Sequence, residues 1–262
     1  MHMIYVMSDI HGNMRRFNSI MEQIDLQAED TLYILGDVID RHPDGLKILR
    51  KLMAMPNVKM LLGNHEFMML QSLDIAYTEY NVPYGDPSML VRRWYNNGGK
   101  VTHQYWKRIR KELRTEIADY LMSLPTSYDI TVNKIPYKLV HAAPEEDFAT
   151  AQGKYRYRDC FEFAVWYRRW LDDPSPEGYT LIFGHTSTEH FQPGIPMRIY
   201  FDTNLVGIDC GSGYPDDVHD RHYGHGRLAC LRLDDMKEFY SEERTEEWRR
   251  LIKKAFEAEE DE

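Results

Sequence analysis

Five places in the chain gather aspartate, histidine, asparagine and glycine in short bursts. They are Ser8-Asp9-Ile10-His11-Gly12-Asn13, Gly36-Asp37-Val38-Ile39-Asp40-Arg41, Gly63-Asn64-His65-Glu66, His141, and Gly184-His185-Thr186. Carboxylate, amide and imidazole groups are hard or borderline donors, and a carboxylate can bridge two ions, so the set suits octahedral or five-coordinate Mn, Fe or Zn. A lone histidine after a strand is ordinarily a hydrogen-bonded structural residue. Here that bland reading would have to hold several times in one ordered set, and a two-metal site explains the set better. Cys160, Cys210 and Cys230 have no paired spacing and no Cys-x-x-Cys motif, which excludes a disulfide framework and a thiolate zinc site and leaves reduced, mostly buried thiols. Trp166, not arginine, stands six residues after Cys160, so no Cys-x5-Arg nucleophile loop is present.

Each burst follows a short apolar run: 3–7, 31–35, 58–62, 137–140 and 180–183. Runs of that length suit strands buried on both faces. Apolar spacing of three and four places helices over 13–24 and 44–54, giving β-α-β-α-β, in which loops at the carboxyl ends of strands converge on one edge. Asp86-Pro87-Ser88 reads as a helix start and Gly98-Gly99 as its stop. Segments 126–133 with 136–140, and 227–233 with 236–240, alternate as hairpins do. Residues 77–87 read as an irregular surface loop, and Trp248, Leu251, Ile252, Ala255 and Phe256 as an amphipathic helix before an acidic tail.

With 262 residues, 43% of them hydrophobic, the chain can bury a substantial core, which argues against disorder. No repeat and no Gly-, Ser- or Pro-rich linker interrupts it, so one domain over 1–262 is expected. No apolar run reaches the ~20 residues that span a bilayer, and no signal segment precedes Ile4, so a cytoplasmic protein with no membrane partner is expected. A formal net charge of -10 lowers the prospect of a nucleic-acid partner. The residue pattern specifies no oligomeric state.

The ordered motifs resemble those of the metallophosphatase superfamily and, within it, the phosphoprotein phosphatase family in its compact bacterial form, over residues 3 to 240. The resemblance implies an α/β fold, a four-layer α/β/β/α sandwich with two mixed β-sheets. It implies that Asp9 and His11 bind one metal, that Asp37 bridges, and that Asn64, His141 and His185 bind the other. The cofactors would be two divalent ions, Mn first, with Fe, Zn or Mg admitted by the same donors. A metal-bound hydroxide would attack phosphorus in line. His65 would donate a proton to the leaving group, with Asp40 behind it raising its pKa, and Arg41, Arg168 and Asn64 would contact the substrate. Arg169 is the alternative to Arg168. Trp94 to Thr102 resembles an element of bacterial members read as a wall of the cleft.

Phosphoserine and phosphothreonine proteins are the leading substrates on this resemblance. The alternatives are phosphotyrosine, small phosphoesters, dinucleoside polyphosphates, or a catalytically silent module that binds phosphorylated partners. Dinucleoside polyphosphate hydrolases look similar, but their second motif usually lacks the acid-partner aspartate and their third usually ends Asn-His-Asp, so Asp40 and Glu66 favour the phosphoprotein branch. Arg41-His42 and His141-Ala142-Ala143 depart from the eukaryotic pattern of glycine after the arginine and His-Gly-Gly. His42 is expected to point to solvent. His2, His103 and His190 read as surface or cap residues, the Asp216 to His225 cluster as a solvated loop, and Met53, Met55, Met60, Met68 and Met69 as core fillers. Arg92-Arg93 and Lys107 to Lys111 read as the solvated face of amphipathic helix rather than a nucleic-acid patch.

Overall fold

Alternation along short strands sorts the apolar side chains into two cores. In β1 (Ile4–Met7), Tyr5 and Met7 enter one core and Val6 the other, and in β2 (Thr31–Ile34), Leu32 and Ile34 separate from Tyr33 in the same way. β1, β2 and β3 (Val58–Met60) run parallel, β9 (Ala229–Arg232) pairs antiparallel with β1, and β10 (Lys237–Tyr240) closes the sheet in the order β10-β9-β1-β2-β3. A second mixed sheet has the order β4-β5-β6-β8-β7, from β4 (Ser127–Val132), β5 (Ile135–Val140), β6 (Thr180–Phe183), β7 (Tyr200–Asp202) and β8 (Leu205–Gly207). These elements belong to a computed structural model that describes residues 2–73, 87–151, 156–171, 173–192, 197–214 and 226–241.

Val6, Tyr33, Leu35 and Leu61 from the first sheet meet Tyr137, Leu139, Ile182 and Val206 from the second, so the sheets face each other across one apolar layer. Helices cover the other face of the first sheet. α1 (Met14–Ile24) starts where the Asn13 side chain accepts from Arg16 N, stops at left-handed Asp25, and buries Phe17, Ile20 and Ile24. α2 (Gly45–Met53) buries Leu46, Ile48, Leu49 and Leu52, each worth about 1.5–3 kcal/mol on burial. α3 (Asn64–Ser72), α4 (Pro87–Asn96), α5 (Lys100–Trp106) and α6 (Lys111–Met122) contribute Phe67, Trp94, Trp106 and Leu121 to that core. α7 (Cys160–Trp166) lies before the second sheet's last strands and packs Phe163 with Ala143 and Tyr167. The architecture is the expected α/β arrangement of two packed mixed sheets flanked by helices.

The two hairpins, the first two helices, and the start and stop of α4 fall where the residue pattern places them. The segment Lys107 to Arg110 does not. It forms the turn between α5 and α6, because Arg114 reaches back to take the carbonyls of Ile109 (3.1 Å) and Lys107 (2.8 Å) that a continuous helix would use. Met60, Met68 and Met69 are core residues, Met53 packs against the core, and Met55 is half-buried outside it. Apart from Pro87, the loop expected over 77–87 lies outside the described residues, as do the whole of the Asp216 to His225 cluster and the C-terminal helix. No helix among the described residues is long and apolar enough to cross a membrane.

Candidate metal centre

Parallel strands bring their carboxyl ends to one edge, and here the two sheets bring both edges together. Asp9 N donates to Gly36 O (3.2 Å) within the first sheet's loops, and Gly184 N to His141 O (2.9 Å) within the second's. His185 N donates to Asp9 Oδ2 (3.0 Å) and the His141 ring approaches Leu35 O (2.6 Å), which fastens one set to the other. The approach leaves no room for a side chain at Gly63, where a Cβ would lie 2.2 Å from Asp37 Oδ1. Asp9, His11, Asp37, Asp40, Arg41 and His185 all sit at positive φ, between 50° and 71°. Such backbone costs ~1–3 kcal/mol per residue and persists where packing over-determines it, typically at functional sites.

Asp37 is the hub. Its Oδ2 lies 3.7 Å from His11 Nε2 and 3.8 Å from His65 Nε2, while its Oδ1 lies 3.5 Å from His141 Nε2. Two triplets, His11-Asp37-His65 and Asp37-His141-His185, each bring ligand atoms within 4.8 Å of one another and share only Asp37. Asp9 Oδ1 is 3.7 Å from His11 Nε2, and Asn64 Oδ1 is 2.9 Å from His141 Nε2. The expected ligands Asp9, His11, Asp37, Asn64, His141 and His185 therefore converge, all buried.

Burial pushes His11 and His185 well below the usual histidine range, with Arg41 adding to it at His11 and His141 at His185, so both stay neutral, the form that binds metal. Burial pushes Asp37 well above the usual carboxylate range, and the carboxylates of Asp9 and Glu66 add to it. Crowded buried carboxylates beside neutral imidazoles fit divalent cations, which would remove that electrostatic penalty.

His65 is joined to Asp40 through Nδ1 to Oδ2 at 2.7 Å, and the same Oδ2 accepts from Trp94 Nε1 at 2.8 Å. Two corrections follow. Trp94 is fully buried behind Asp40 rather than in a cleft wall, while Gly98 of the same segment does reach the site, its carbonyl accepting from Arg41 N (3.2 Å). His65 is not raised by its partner: burial dominates, lowering His65 to about 4 and lifting Asp40 to about 7. His65 also stands in the first triplet, so the geometry admits a ligand role for it. His42 is half-buried, not turned free to solvent, because its backbone N–H is held by the carbonyls of His11 and Asp40.

Arg41 and Arg168 are both exposed, and Arg168 Nη1 donates to His185 O (3.0 Å) at the rim of the centre. Arg169 is buried and directed away, to Pro174 O. Of the two adjacent arginines, the structure brings Arg168 to the site.

Two buried acids have contacts that the residue pattern does not assign, Glu66 within the third burst and Asp209 outside all five. Glu66 receives the backbone N–H groups of Asp37 and Val38 (both 2.9 Å), Ile39 and Gly63 (both 3.2 Å), and so clamps the Asp37 loop to the start of α3. Asp209 follows β8 as a sixth strand-then-polar junction. Burial pushes it up to about 7, with the Asp9 charge next, and its signal was the apolar run Leu205-Val206-Gly207-Ile208 ending in Asp209-Cys210-Gly211.

A profile of the calcineurin-like phosphoesterases matches residues 2–209. The chain belongs to that family. It is 35% identical to the symmetrical bis(5'-nucleosyl)-tetraphosphatase of Proteus mirabilis, with 90% of this chain and 96% of that protein covered. It is 31% identical to serine/threonine-protein phosphatase 2 of Escherichia coli K12, over 53% of this chain and 57% of the other. Among solved structures it resembles a metallophosphoesterase from Sphaerobacter thermophilus, with a TM-score of 0.52, 17% identity, and coverage of 97% and 93%. The last likeness speaks to the fold alone. This calcineurin-like phosphoesterase is a metal-dependent hydrolase.

Proposed function

We propose that this phosphoesterase hydrolyses bis(5'-nucleosyl) tetraphosphates at the central anhydride. Water adds to one inner phosphorus, the bridging P–O bond breaks, and two nucleoside diphosphates leave. The observation that carries this reading is the 35% identity to a symmetrical tetraphosphatase along nearly the full length of both chains. The protein phosphatase relative matches over only about half of each chain.

On this reading Asp9, His11, Asp37, Asn64, His141 and His185 would hold two divalent ions, which would supply Lewis acidity and lower the pKa of bound water. Arg41 and Arg168 bind non-bridging oxygens, whose charge grows in the transition state. His65 faces the departing oxygen, oriented by Asp40, and the dyad carries one proton below about pH 7. The test is chromatography of products after loading with Mn. Diadenosine tetraphosphate should give ADP as sole product at a kcat/KM at least ~100-fold above that for a phosphoserine peptide. The reverse preference would overturn the reading.

A protein serine/threonine phosphatase is the second reading, favoured by one observation, the 2.7 Å bond between His65 and Asp40. A seryl alkoxide is a poor leaving group that needs a proton, whereas a nucleoside diphosphate departs readily without one. A buried acid dyad is of more use to the ester than to the anhydride.

A further inference from the structure

Beside the metal centre, on the side of Arg168, a cleft of about 310 Å³ is lined by Arg93, Arg156, Glu162, Trp166, Arg168 and Trp170. Three guanidinium groups against one carboxylate make it cationic, in a chain whose net charge is -10. A local field of opposite sign to the whole molecule favours a polyanion at this place over the rest of the surface. The cleft is also aromatic. The Arg93 guanidinium lies over the Trp166 ring at 4.1 Å, with Glu162 Oε1 3.9 Å from Arg93 Nη1 holding it there. Trp170 is 59% exposed, an indole left open at the edge of the cleft where a core residue of its size would be covered.

The cleft lies next to the metal centre and shares contacts with it. Arg168 belongs to both, because it lines the cleft and bonds His185 O. Trp166 links them again, its ring standing edge-on to His185 at 5.9 Å between centroids and its carbonyl 3.2 Å from His185 Nε2. A substrate gripped at the metals and longer than one phosphoryl group must extend beyond the centre, and this charged, ring-bearing cleft has Arg168 at its near edge.

We propose that this cleft is the subsite for the distal nucleotide of the tetraphosphate, a role that rests on the function proposed above. Arg168 and Arg156 take successive phosphates beyond the scissile bond, and Trp170 supplies a stacking face for the nucleobase. Arg93 stays fixed on Trp166 and keeps the wall positive. Guanidinium forks match phosphate oxygens, and an indole stacks on any base without reading its edge, so the site selects a nucleoside polyphosphate without selecting adenine over guanine. A phosphorylated peptide offers one phosphate and no ring system for Trp170, and fits less of what the cleft presents.

The test is calorimetric titration of the Mn-loaded protein with a hydrolysis-resistant diadenosine tetraphosphate carrying a methylene in place of the central bridging oxygen, alongside inorganic phosphate and a phosphoserine peptide. Trp170→Ala and Arg156→Ala alter exposed side chains, and circular dichroism confirms their folding. Each should weaken the analogue about ten-fold, the usual scale for loss of one stacked base or one phosphate contact, while the affinity for inorganic phosphate moves less than ~two-fold. Unchanged affinity for the analogue in both variants overturns the subsite. A peptide that loses affinity in these variants while the analogue does not overturns it in favour of a peptide groove. Hydrolysis of diadenosine tetraphosphate, followed in parallel, separates the two claims. A tight, variant-sensitive analogue with no ADP released sinks the proposed reaction and leaves the cleft standing. ADP release with insensitive variants does the opposite.

Discussion

The centre and its rim are built on opposite principles. The centre consists of buried carboxylates and imidazoles that share hydrogen bonds and mutual fields, with Asp37 facing His11 and His65 through one oxygen and His141 through the other. The rim consists of exposed arginines, Arg41, Arg168 and Arg156. Burial makes the centre's groups strongly interdependent, since every charge is felt at low dielectric. Exposure makes the rim's groups nearly independent. Chemistry common to a whole family can therefore reside in the centre, while the choice of substrate can change at the rim one residue at a time.

That contrast can be broken by experiment. The largest effect is expected at the hub. Asp37→Ala should lose both metal ions by elemental analysis and activity by more than ~10³-fold, because every ligand on either side loses its shared partner. His11→Ala should deplete chiefly one ion. Two ions retained in Asp37→Ala would mean that the centre is not organised around a bridge.

Next comes the dyad. His65→Asn should cost about 10²–10⁴-fold on a phosphoserine peptide and clearly less on diadenosine tetraphosphate, with metal content normal. Loss of a metal would make His65 a ligand, as the His11-Asp37-His65 triplet allows. Asp40 is lifted to about 7 and His65 lowered to about 4, so the pair holds its proton below pH 7 and sheds it above. Activity on the ester should fall on the alkaline side of pH 7. In Asp40→Asn only the group near 4 remains, so that limb should move toward acid. A limb that stays in place would assign it to another group.

Glu66→Ala should act on stability before chemistry. It strips four backbone N–H groups of a buried acceptor, and about 3–5 kcal/mol is expected from chemical denaturation. A loss under ~1 kcal/mol would show that water replaces the clamp.

The smallest effects belong to the rim. Arg168→Ala should raise KM and the inhibition constant for phosphate about ten-fold. Arg169→Ala should leave both unchanged and lower thermal stability, since its guanidinium is buried against Pro174 O. Equal kinetic effects from the two would dissolve the distinction between a rim residue and its buried neighbour.

The same contrast explains what could be read before any coordinates. The five strand-then-polar junctions, both hairpins and the convergence of Asp9, His11, Asp37, Asn64, His141 and His185 were legible because residue type, strand period and metal chemistry all constrain the same positions. Asp209 is not marked as part of the site, and Glu66 is marked only as a motif member without its clamp, since a carboxylate that serves backbone N–H groups looks in sequence like any other acid. The direction of the His65 shift was misread because a partner aspartate is visible in sequence and the degree of burial is not. Trp94 was misplaced for the same reason: an indole next to a site can wall it or sit behind it. The cleft of Arg93, Arg156 and Trp170 draws on helices and loops far apart in the chain, and no local motif marks it.

The left-handed backbone at Asp9, His11, Asp37 and His185 bears on how the centre could be engineered. Aspartate and histidine tolerate that region better than most residues, yet glycine would occupy it with less strain. At Asp9 and Asp37 the carboxylates also accept the backbone N–H groups of His185 and His65 (both 3.0 Å), so glycine there would relieve strain while leaving two buried donors unpaired. The centre thus holds its strained backbone in place with the same carboxylates that it would offer to metal.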